Sequence, residues 1–356
     1  MSKISVVIPA YEPDERLIEL LNALDQKDIG PIYIVNDGSG PQYDPVFEKA
    51  TEIIEKSGGK LLRHEINRGK GRALKTAFSY ILENDDETMA VVTADSDGQH
   101  TPECISKIIH AVRNNRNSLI LGVRNFDGHE IPWKSQFGNK LTEKIFQYVT
   151  GTHITDTQTG LRGIPRAYMN DLLSISGERF EFEMRMLLDA CEKIRIVEVP
   201  VKTVYDSVGS HQTHFHPLKD SVRIYRILGK KMIRYILSSL LSSLLDLTIF
   251  SVCCAVLKSE FPGSVIYIPI SIAIARVISA ACNYLINYKI VFKSEKEIGL
   301  SAFKYAVLVV VQMLFSAISV TALVSIIPYG KEIIYKVIVD TVLFFASYYI
   351  QQKKVF

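Results

Sequence analysis

Four long apolar segments in the last third of the sequence limit its fold more than any other feature. They are Tyr235–Leu257, Val265–Ile286, Tyr305–Ile327 and Ile333–Ile350. Each has about the 20 residues needed to cross the hydrocarbon core of a bilayer. One such segment could be a buried helix of a soluble protein, but four in succession with short connections predict four transmembrane helices.

Basic residues lie unevenly around these segments. The connections on one side contain only Lys258, Lys331 and Lys336. Because cytoplasmic loops carry an excess of Lys and Arg, the pattern predicts that both termini are cytoplasmic. The residues on the predicted cytoplasmic side are Lys219, Arg223, Arg226, Lys230, Lys231, Arg234, Lys289, Lys293, Lys296, Lys304, Lys353 and Lys354.

A short internal repeat relates the two halves of the apolar region. The sequence NYLINYKIVF ends at Phe292, and SYYIQQKKVF ends at Phe356. Each follows a segment that opens after an aromatic-basic step, IRY at 233–235 and FKY at 303–305. This arrangement predicts two tandem helical hairpins.

Three ionisable residues, Asp246, Arg276 and Asp340, fall inside the apolar segments. An unpaired charge in hydrocarbon is costly, so we expect these side chains to face the helix bundle or one another. They form either a structural ion pair or a polar path for a lipid headgroup, and the sequence leaves both interpretations open.

The rest of the chain has the composition of an ordinary cytoplasmic domain. The overall values of 47% hydrophobic and 22% charged residues average two unlike regions, since most acids, prolines and glycines precede residue 220. We predict a soluble domain at 1–216, an amphipathic juxtamembrane helix at 217–234 and a membrane domain at 235–356. The apolar run in MSKISVVIPAY is too short for a secretory signal, which favours a cytoplasmic location for the soluble domain.

Charge and cysteine content argue against two further classes of protein. The net charge of +3 does not suggest a nucleic-acid surface, which needs clustered basic residues. The five cysteines contain no CxxC pair, which favours reduced thiols over a disulfide framework or a zinc cluster.

Short apolar runs alternate with helical patterns in the first 125 residues. This alternation predicts an α/β domain with a mostly parallel sheet. The runs are Ile4–Ile8, Ile32–Asn36, Leu61–His64, Met89–Ala94 and Ser118–Val123. Ligands bind beyond the carboxyl ends of such strands, where four polar clusters follow: Ala10-Tyr11-Glu12, Asp37-Gly38-Ser39, Asn67 to Lys70, and Asp95-Ser96-Asp97.

Neither standard phosphate-binding loop is present. No GxGxxG follows the first strand, and GKGR at 69–72 lacks the spacing and the terminal Ser or Thr of a P-loop. A metal ion is the natural alternative, since Asp95 and Asp97 follow a predicted strand and can both reach one divalent cation. Mg²⁺ and Mn²⁺ prefer such oxygen ligands; a simple polar turn is the competing interpretation.

The ordered motifs VVIPAYEP, VNDGSG, NRGKGRAL, ADSDGQH and DTQTGLRG resemble those of family 2 glycosyltransferases. Within that family they are most similar to the polyprenyl-phosphate hexosyltransferases, which include dolichol-phosphate mannose synthases. The apolar region resembles a GtrA-like domain, a four-span module. The resemblance covers nearly the whole chain. It implies a GT-A catalytic domain, Rossmann-like with a mostly parallel sheet, followed by an all-α domain of four transmembrane helices.

The resemblance also implies an activity. It is the metal-dependent, inverting transfer of a hexose from a nucleotide sugar of the UDP-glucose or GDP-mannose type to a polyprenyl phosphate such as undecaprenyl phosphate. The reaction would occur at the cytoplasmic membrane face and feed cell-surface glycan modification. Two alternatives stay open: a glycosyltransferase that acts directly on a growing glycan, and a membrane half that translocates the lipid-linked sugar.

By the same resemblance, the nucleotide sugar is bound by the first loop, the DGS turn, the NRGKG segment and a later histidine. The residues implied are Pro9, Ala10, Tyr11, Glu12, Asp37, Lys70, Asp95, Ser96, Asp97 and His214. Asp95, Asp97 and Gln99 are the implied ligands of Mg²⁺ or Mn²⁺. Asn36 replaces the first Asp of the usual DDGS, and Glu12-Pro13 replaces the usual Asn-Glu, which leaves the base preference open.

The acceptor phosphate is expected at Arg124, Lys134, Ser135 and Arg162. Lys134-Ser135-Gln136 stands where relatives have Arg-Ser-Arg, so fewer bidentate contacts to phosphate are expected here. Asp156 would orient a sugar hydroxyl or the acceptor arginines, with a structural salt bridge as the alternative. The resemblance places one of Glu181 and Glu183 near the donor sugar. The catalytic candidates are Asp95, Asp97, Arg124, Asp156, Arg162 and Glu181.

Two stretches, Trp133–Val149 and Leu218–Ile233, mix apolar residues with Lys and Arg as interfacial helices do. Packing against the protein core is their alternative use. Many small four-span modules associate, so the sequence leaves a homo-oligomer open.

Overall fold

The computed structural model describes residues 3–124, 133–202, 217–260, 267–326 and 332–356. The chain forms two compact units, Met1–Tyr225 and Arg226–Phe356. The first contains a sheet with helices on both faces, and the second is helical.

A seven-stranded sheet forms the centre of the first unit, in the order β3-β2-β1-β4-β6-β5-β7. All five predicted strands are confirmed. Two strands were not predicted: β6, which runs antiparallel to β4 and β5, and β7, which is parallel to β5. The strands are β1 (Lys3–Ala10), β2 (Ile32–Asp37), β3 (Lys60–His64), β4 (Thr88–Thr93), β5 (Ser118–Arg124), β6 (Arg162–Pro165) and β7 (Arg195–Val201).

Helices cover both faces of this sheet because the central strands are apolar on both sides. In β1, Val6 and Ile8 belong to one core cluster with α1, α2 and α4. Val7, which points to the opposite face, is also fully buried. The helices are α1 (Glu15–Asp25), α2 (Asp44–Lys56), α3 (Lys70–Asn84), α4 (Pro102–Asn114), α5 (Trp133–Thr150), α6 (Arg166–Ser174) and α7 (Glu181–Lys193).

The second unit consists of long apolar helices. They are α8 (Pro217–Glu260), α9 (Tyr267–Ile286), α10 (Ile298–Ile326) and α11 (Glu332–Ile350). Helix α8 starts before the unit boundary, and the predicted juxtamembrane helix at 217–234 continues in it without a break into the first apolar segment.

Three helical segments among the described residues are long and apolar enough to cross a membrane: Arg226–Glu260, Ile270–Val291 and Ile298–Ser316. They correspond to the first three predicted spans. The fourth predicted span coincides with α11, parts of which lie outside the residues whose side chains are described. The number of crossings and the orientation stay predictions.

The internal repeat has a direct counterpart in three dimensions. Both α9 and α11 end in a π-helical turn, Asn287–Val291 and Gln351–Val355, at equivalent places in the repeat. The equivalent residues Phe292 and Phe356 stack with their ring centroids 5.0 Å apart, and Asn287 donates a hydrogen bond to Gln351 at 3.1 Å. Equivalent residues therefore meet each other, as expected when two similar hairpins pack around a pseudo-two-fold axis.

Aromatic contacts obey the same relation. Tyr235 and Tyr305 open the first and third apolar segments at equivalent positions of the repeat. Each contacts the phenylalanine at the end of its own hairpin and a tyrosine from the second helix of the other hairpin. The reciprocal centroid distances are 6.1 Å for Tyr235–Phe292, 5.1 Å for Tyr235–Tyr348, 6.4 Å for Tyr305–Phe356 and 5.5 Å for Tyr284–Tyr305.

The ionisable residues of the apolar helices also occupy repeat-related positions. In the first hairpin Arg276 lies 3.6 Å from Asp246, and in the second Ser316 donates to Asp340 at 2.6 Å. Asp246 and Asp340 therefore have polar partners, as expected. Arg276 and Asp246 face one another, which is one of the two expected arrangements, although the Arg276 side chain is 69% exposed.

We predict that Asn287→Ala destabilises the second unit. Asn287 is fully buried, accepts a hydrogen bond from Ser238 at 2.6 Å and donates one to Gln351. Loss of such interhelical bonds costs about 0.6 kcal/mol each and up to about 1.7 kcal/mol. The thermal midpoint in detergent should fall. The control is Thr341→Ala, since the exposed Thr341 bonds only a carbonyl of its own helix, that of Val337. Equal midpoints for the two variants would contradict the prediction.

Candidate active site

The predicted motifs converge at one edge of the sheet. The parallel strands β1, β2, β4 and β5 all end there, at Ala10, Asp37, Thr93 and Arg124. Because β6 is antiparallel, it begins at this edge, with Arg162 paired to Thr93. The DTQTGLRG motif that leads into β6 therefore lies beside the residues that follow β4.

A lysine bridges two carboxylates at this edge. The Nζ of Lys70, the first residue of α3, lies 2.7 Å from Asp95 Oδ1 and 3.0 Å from Glu183 Oε1. Asp95 follows β4, and Glu183 lies in the first turn of α7. Burial alone would raise the pKa of Asp95, but the neighbouring positive charges, that of Lys70 above all, lower it to about 2. Burial lowers the pKa of Lys70, yet its two carboxylates outweigh this and raise it.

The cluster of Lys70, Asp95 and Glu183 has room to form because two neighbouring residues are glycines. A Cβ on Gly160 would lie 2.5 Å from Asp95 Oδ2 and 2.9 Å from Lys70 Nζ. Gly69 has a φ of +100°, and a Cβ there would lie 2.5 Å from the carbonyl oxygen of Glu178. The glycines of NRGKG and DTQTG are therefore needed for the close approach of α3 to Asp95 and α7.

Asp37 holds the turn in front of α3. Its carboxylate accepts hydrogen bonds from the backbone N–H groups of Arg68 at 3.0 Å and Gly69 at 2.8 Å, and it lies 2.7 Å from His64 Nδ1. An acidic side chain at a helix N-terminus is favoured by the helix dipole. Asp37 is 3% exposed and both its oxygens are engaged by the protein, so its geometry favours positioning of Lys70 over a direct nucleotide contact.

The first loop is tied to the DGS turn. The Glu12 N–H donates to Ser39 Oγ at 2.9 Å, and the Ser39 N–H donates to the side-chain oxygen of Asn36 at 2.9 Å. Glu12 has a φ of +52°, a conformation that costs a residue with a side chain roughly 1–2 kcal/mol. Asn36 is buried, and its amide oxygen performs this role without a charge. These hydrogen bonds hold Tyr11 and Glu12 at the carboxyl end of β1.

The predicted metal ligands are adjacent and partly exposed. Asp97 Oδ1 accepts a hydrogen bond from the Gln99 N–H at 3.1 Å. Burial and the negative charge of Asp95 raise the pKa of Asp97. A bound cation would relieve this repulsion, and two carboxylates with an amide oxygen suit Mg²⁺ or Mn²⁺. Within the described residues no group of three or more His, Cys, Asp or Glu could hold a metal, so part of the coordination would have to come from substrate phosphate or water.

His100 supports the same loop. Its Nδ1 accepts a hydrogen bond from the Asp95 N–H at 3.0 Å, which requires an unprotonated Nδ1. Burial lowers the pKa of His100 and keeps the ring neutral. The role of His100 was not predicted, although the residue belongs to the ADSDGQH motif.

Arg124 is oriented by Asp156. The guanidinium makes a bidentate contact, with Nε 2.7 Å from Asp156 Oδ2 and Nη2 3.1 Å from Oδ1. Asp156 is fully buried and also accepts hydrogen bonds from the backbone N–H groups of Arg124 and Gln158. The geometry fits the second predicted role of Asp156, orientation of an acceptor arginine, since the carboxylate is shielded from a sugar.

Two candidates make contacts mainly within the protein. Arg162 is 1% exposed and donates to the carbonyl oxygens of Thr159 and Glu183 at 2.9 and 2.7 Å, so it links β6 to α7, and its contact with an acceptor stays a prediction. Glu181 accepts from the Glu178 N–H at 3.4 Å, while Glu183 contacts Lys70. Residues two apart on a helix face different directions, and Glu183 is the member of the pair that lies in the cluster.

Three further candidates cannot be located. The side chains of Lys134 and Ser135, at the start of α5, and all of His214 lie outside the described residues. Their proposed contacts with the acceptor and the diphosphate stay predictions.

Comparison with known proteins gives two family matches. Residues 5–173 match the family described as Glycosyl transferase family 2. Residues 234–356 match the family described as GtrA/DPMS, transmembrane domain.

Curated relatives resemble the first part of the chain. A UDP-N-acetylglucosamine–dolichyl-phosphate N-acetylglucosaminyltransferase of Methanococcus voltae is 28% identical over 217 residues, 57% of this chain and 86% of its own length. A dolichol-phosphate mannosyltransferase of Pyrococcus furiosus is 33% identical over 131 residues, 36% of this chain and 35% of its own. An undecaprenyl-phosphate 4-deoxy-4-formamido-L-arabinose transferase of Klebsiella pneumoniae is 27% identical over 222 residues, covering 60% and 64%.

We predict that Asp37→Asn destabilises the first unit. The neutral amide keeps one acceptor oxygen but loses the charge that serves two backbone donors, and hydrogen bonds to charged groups contribute about 1.5–3 kcal/mol each. The urea midpoint should fall measurably. The matched control is Asp171→Asn, whose carboxylate is 46% exposed and pairs with Lys193, since exposed pairs contribute about 1 kcal/mol or less. An Asp37→Asn midpoint no lower than that of the control would refute the positioning role.

Proposed function

The chain joins a family 2 glycosyltransferase domain to a GtrA/DPMS transmembrane domain, and from this premise we propose that it transfers a hexose from a nucleotide sugar to a polyprenyl phosphate. It is a glycosyltransferase with a GT-A catalytic domain and a membrane domain. What we propose is the donor, the acceptor, the metal and the stereochemistry of the reaction. We propose a single displacement that inverts the anomeric carbon.

The observation that supports the proposal most strongly is the grouping of opposite charges at one edge of the sheet. Asp95 and Asp97 lie beside Lys70, and Arg124 is near enough for its positive charge to contribute to the lowered pKa of Asp95. A reaction between two phosphate-bearing substrates needs both features: oxygen ligands for a cation and fixed positive charges for the phosphates.

On the donor side, the first loop and Lys70 would bind the nucleoside diphosphate. Asp97, with Asp95 and Gln99, would hold Mg²⁺ or Mn²⁺, which when bound would neutralise charge on the diphosphate leaving group. The fixed conformation of Glu12, tied to Ser39, gives the donor a preorganised edge to bind.

On the acceptor side, Arg124 would bind the lipid phosphate, held in position by Asp156. An oxygen of that phosphate would attack the anomeric carbon while the bond from that carbon to the diphosphate oxygen breaks. A phosphate monoester is largely deprotonated near pH 7, since its second pKa is about 6, so no side chain has to remove a proton. Orientation and electrostatics would supply most of the rate.

The acceptor class has two supports. The relatives from M. voltae, P. furiosus and K. pneumoniae are named for dolichyl or undecaprenyl phosphate. The same chain also carries helices long and apolar enough to cross a membrane, where such lipids reside. We propose that the catalytic domain and both termini are cytoplasmic, as the distribution of basic residues indicates.

The proposal is tested with the purified full-length chain in detergent. Undecaprenyl phosphate and labelled UDP-glucose, UDP-N-acetylglucosamine or GDP-mannose are supplied with Mg²⁺ or Mn²⁺. We expect label in an organic-soluble lipid with one donor, loss of product with EDTA, and recovery on adding metal. Absence of labelled lipid with every common nucleotide sugar, or transfer only to a glycan, would refute the proposal.

We predict that Asp97→Ala lowers turnover on the order of 100-fold or more while the protein stays folded and membrane-bound. The loss of one preorganised electrostatic group at a reacting centre has effects of this size. The control is Asp86→Ala, which removes an exposed carboxylate that pairs with Arg166 before the start of β4, away from the carboxyl ends of the strands. Turnover by Asp97→Ala close to that of the control would argue against the assigned site.

We predict that Asp156→Asn raises KM for polyprenyl phosphate roughly 10-fold, because Arg124 loses its bidentate charged partner; a tenfold effect corresponds to about 1.4 kcal/mol. The KM for the nucleotide sugar should change little. The matched control is Glu198→Gln. The Glu198 carboxylate accepts hydrogen bonds from Thr155, the neighbour of Asp156, and is not the partner of Arg124. A raised donor KM with an unchanged acceptor KM would assign Asp156 to the sugar.

A further inference from the structure

Lys70 occupies the position where a cation is expected in the acidic cluster. Its ammonium lies within 3.0 Å of carboxylate oxygens from both Asp95 and Glu183. These two acids reach it from different elements, β4 and α7, and Glu183 is 7% exposed. The ammonium therefore neutralises two acids that would otherwise repel each other at the proposed donor site.

The two oxygens of Asp95, whose side chain is 27% exposed, have different surroundings. Oδ1 contacts the Lys70 ammonium at 2.7 Å, and Oδ2 lies beside Gly160, where an added methyl group would come within 2.5 Å. A divalent cation that approached Oδ1 would meet the Lys70 charge at close range, and like charges in a partly buried site repel strongly. In this arrangement Asp97 is the open carboxylate, and one carboxylate with an amide is a weak site for Mg²⁺ or Mn²⁺.

A nucleoside diphosphate would change this balance. Lysine carries a point charge on a flexible four-carbon stem, and phosphate oxygens are good partners for it. The diphosphate would attract the ammonium away from Asp95 and add its own oxygens to the metal coordination. Glu183, fixed by the Arg162 contact to its carbonyl, would keep the lysine stem near the site.

From this geometry we propose that Lys70 is an internal counter-ion that excludes a free divalent cation from Asp95 until the nucleotide arrives. This inference rests on the proposed function, since it assumes a metal and a nucleotide at this edge. Metal and nucleotide then bind cooperatively, and each raises the affinity for the other by the same factor. Lys70 thus acts twice, first as a partner of Asp95 and Glu183 and then as a partner of the diphosphate.

The direct test is Mn²⁺ retention by the full-length protein in equilibrium dialysis, with and without UDP or GDP, after subtraction of Mn²⁺ held by nucleotide alone. For the wild type we expect weak Mn²⁺ binding alone and at least tenfold tighter binding with one nucleotide. For Lys70→Met we expect Mn²⁺ alone to bind at least tenfold more tightly than to the wild type. The added nucleotide should then give a smaller gain. Lys70→Arg keeps the charge and should behave like the wild type.

The matched control is Arg72→Met. Arg72 lies on the same helical turn as Lys70 and is half-exposed, but it pairs with Glu178. Its removal takes away one positive charge without uncovering Asp95, so Mn²⁺ binding should stay at the wild-type level. Thermal unfolding confirms that each variant is folded, and Lys70→Gln replaces Lys70→Met if the latter is unstable.

Each result has a defined meaning. Equal Mn²⁺ affinities of wild type and Lys70→Met without nucleotide would overturn the counter-ion role and leave the proposed function intact. If Arg72→Met gained as much Mn²⁺ affinity as Lys70→Met, the gain would reflect only the loss of one positive charge. That result would also overturn the counter-ion role of Lys70. No Mn²⁺ retained by any variant, even with UDP and GDP, would overturn metal dependence itself and this inference with it.

Discussion

The bridge from Lys70 to Asp95 and Glu183 is the interaction on which the site depends. It joins the start of α3, the end of β4 and the first turn of α7. A different residue positions each of these three elements. Asp37 binds the backbone in front of α3, Gly160 leaves room beside Asp95, and Arg162 binds the carbonyl of Glu183. Several motif residues that a sequence comparison would assign to substrate therefore serve to position this one ion-paired cluster.

The membrane unit is organised by a different constraint, the satisfaction of polar groups away from water. Its two hairpins meet through equivalent residues. The amide of Asn287 donates a hydrogen bond to Gln351, and the ring of Phe292 stacks on that of Phe356. Hydrogen bonds within each hairpin, such as Ser238 to Asn287 and Ser316 to Asp340, add to those between the hairpins. Such interhelical bonds hold helices together where lipid offers no hydrophobic driving force. Arg276 departs from this pattern, since it extends to the surface of the unit.

The sequence predicted the fold well where periodicity and length were informative. The five apolar runs became β1 to β5, and the first three predicted spans are long apolar helices. It failed where the outcome depends on tertiary contacts. Strand β6 has only four residues, of which the first two end the DTQTGLRG motif, and its RGIP sequence lacks a strand pattern. The choice between Glu181 and Glu183 depends on the exact rotation of α7, and the burial of Arg162 depends on that helix packing over β6.

The same limit applies to the site. The sequence pointed to Asp95, Asp97 and Lys70 through polar clusters that follow strands, and to Arg124 through the family resemblance; their roles in catalysis stay predictions. It could not show that Lys70 already pairs with Asp95, since that pairing joins residues distant in sequence. Predictions for Lys134, Ser135 and His214 still rest on resemblance alone.

The central claim is that the donor nucleotide and its metal bind together at the carboxyl ends of β1 and β4. Crystals of the full chain grown with Mn²⁺ and a nucleoside diphosphate test it directly through the anomalous scattering of manganese. Our account predicts a peak at coordination distance, about 2.0–2.6 Å, from an Asp97 oxygen, with the diphosphate beside Lys70. A manganese peak and a nucleotide found elsewhere, with Lys70 still paired to Asp95, would contradict it.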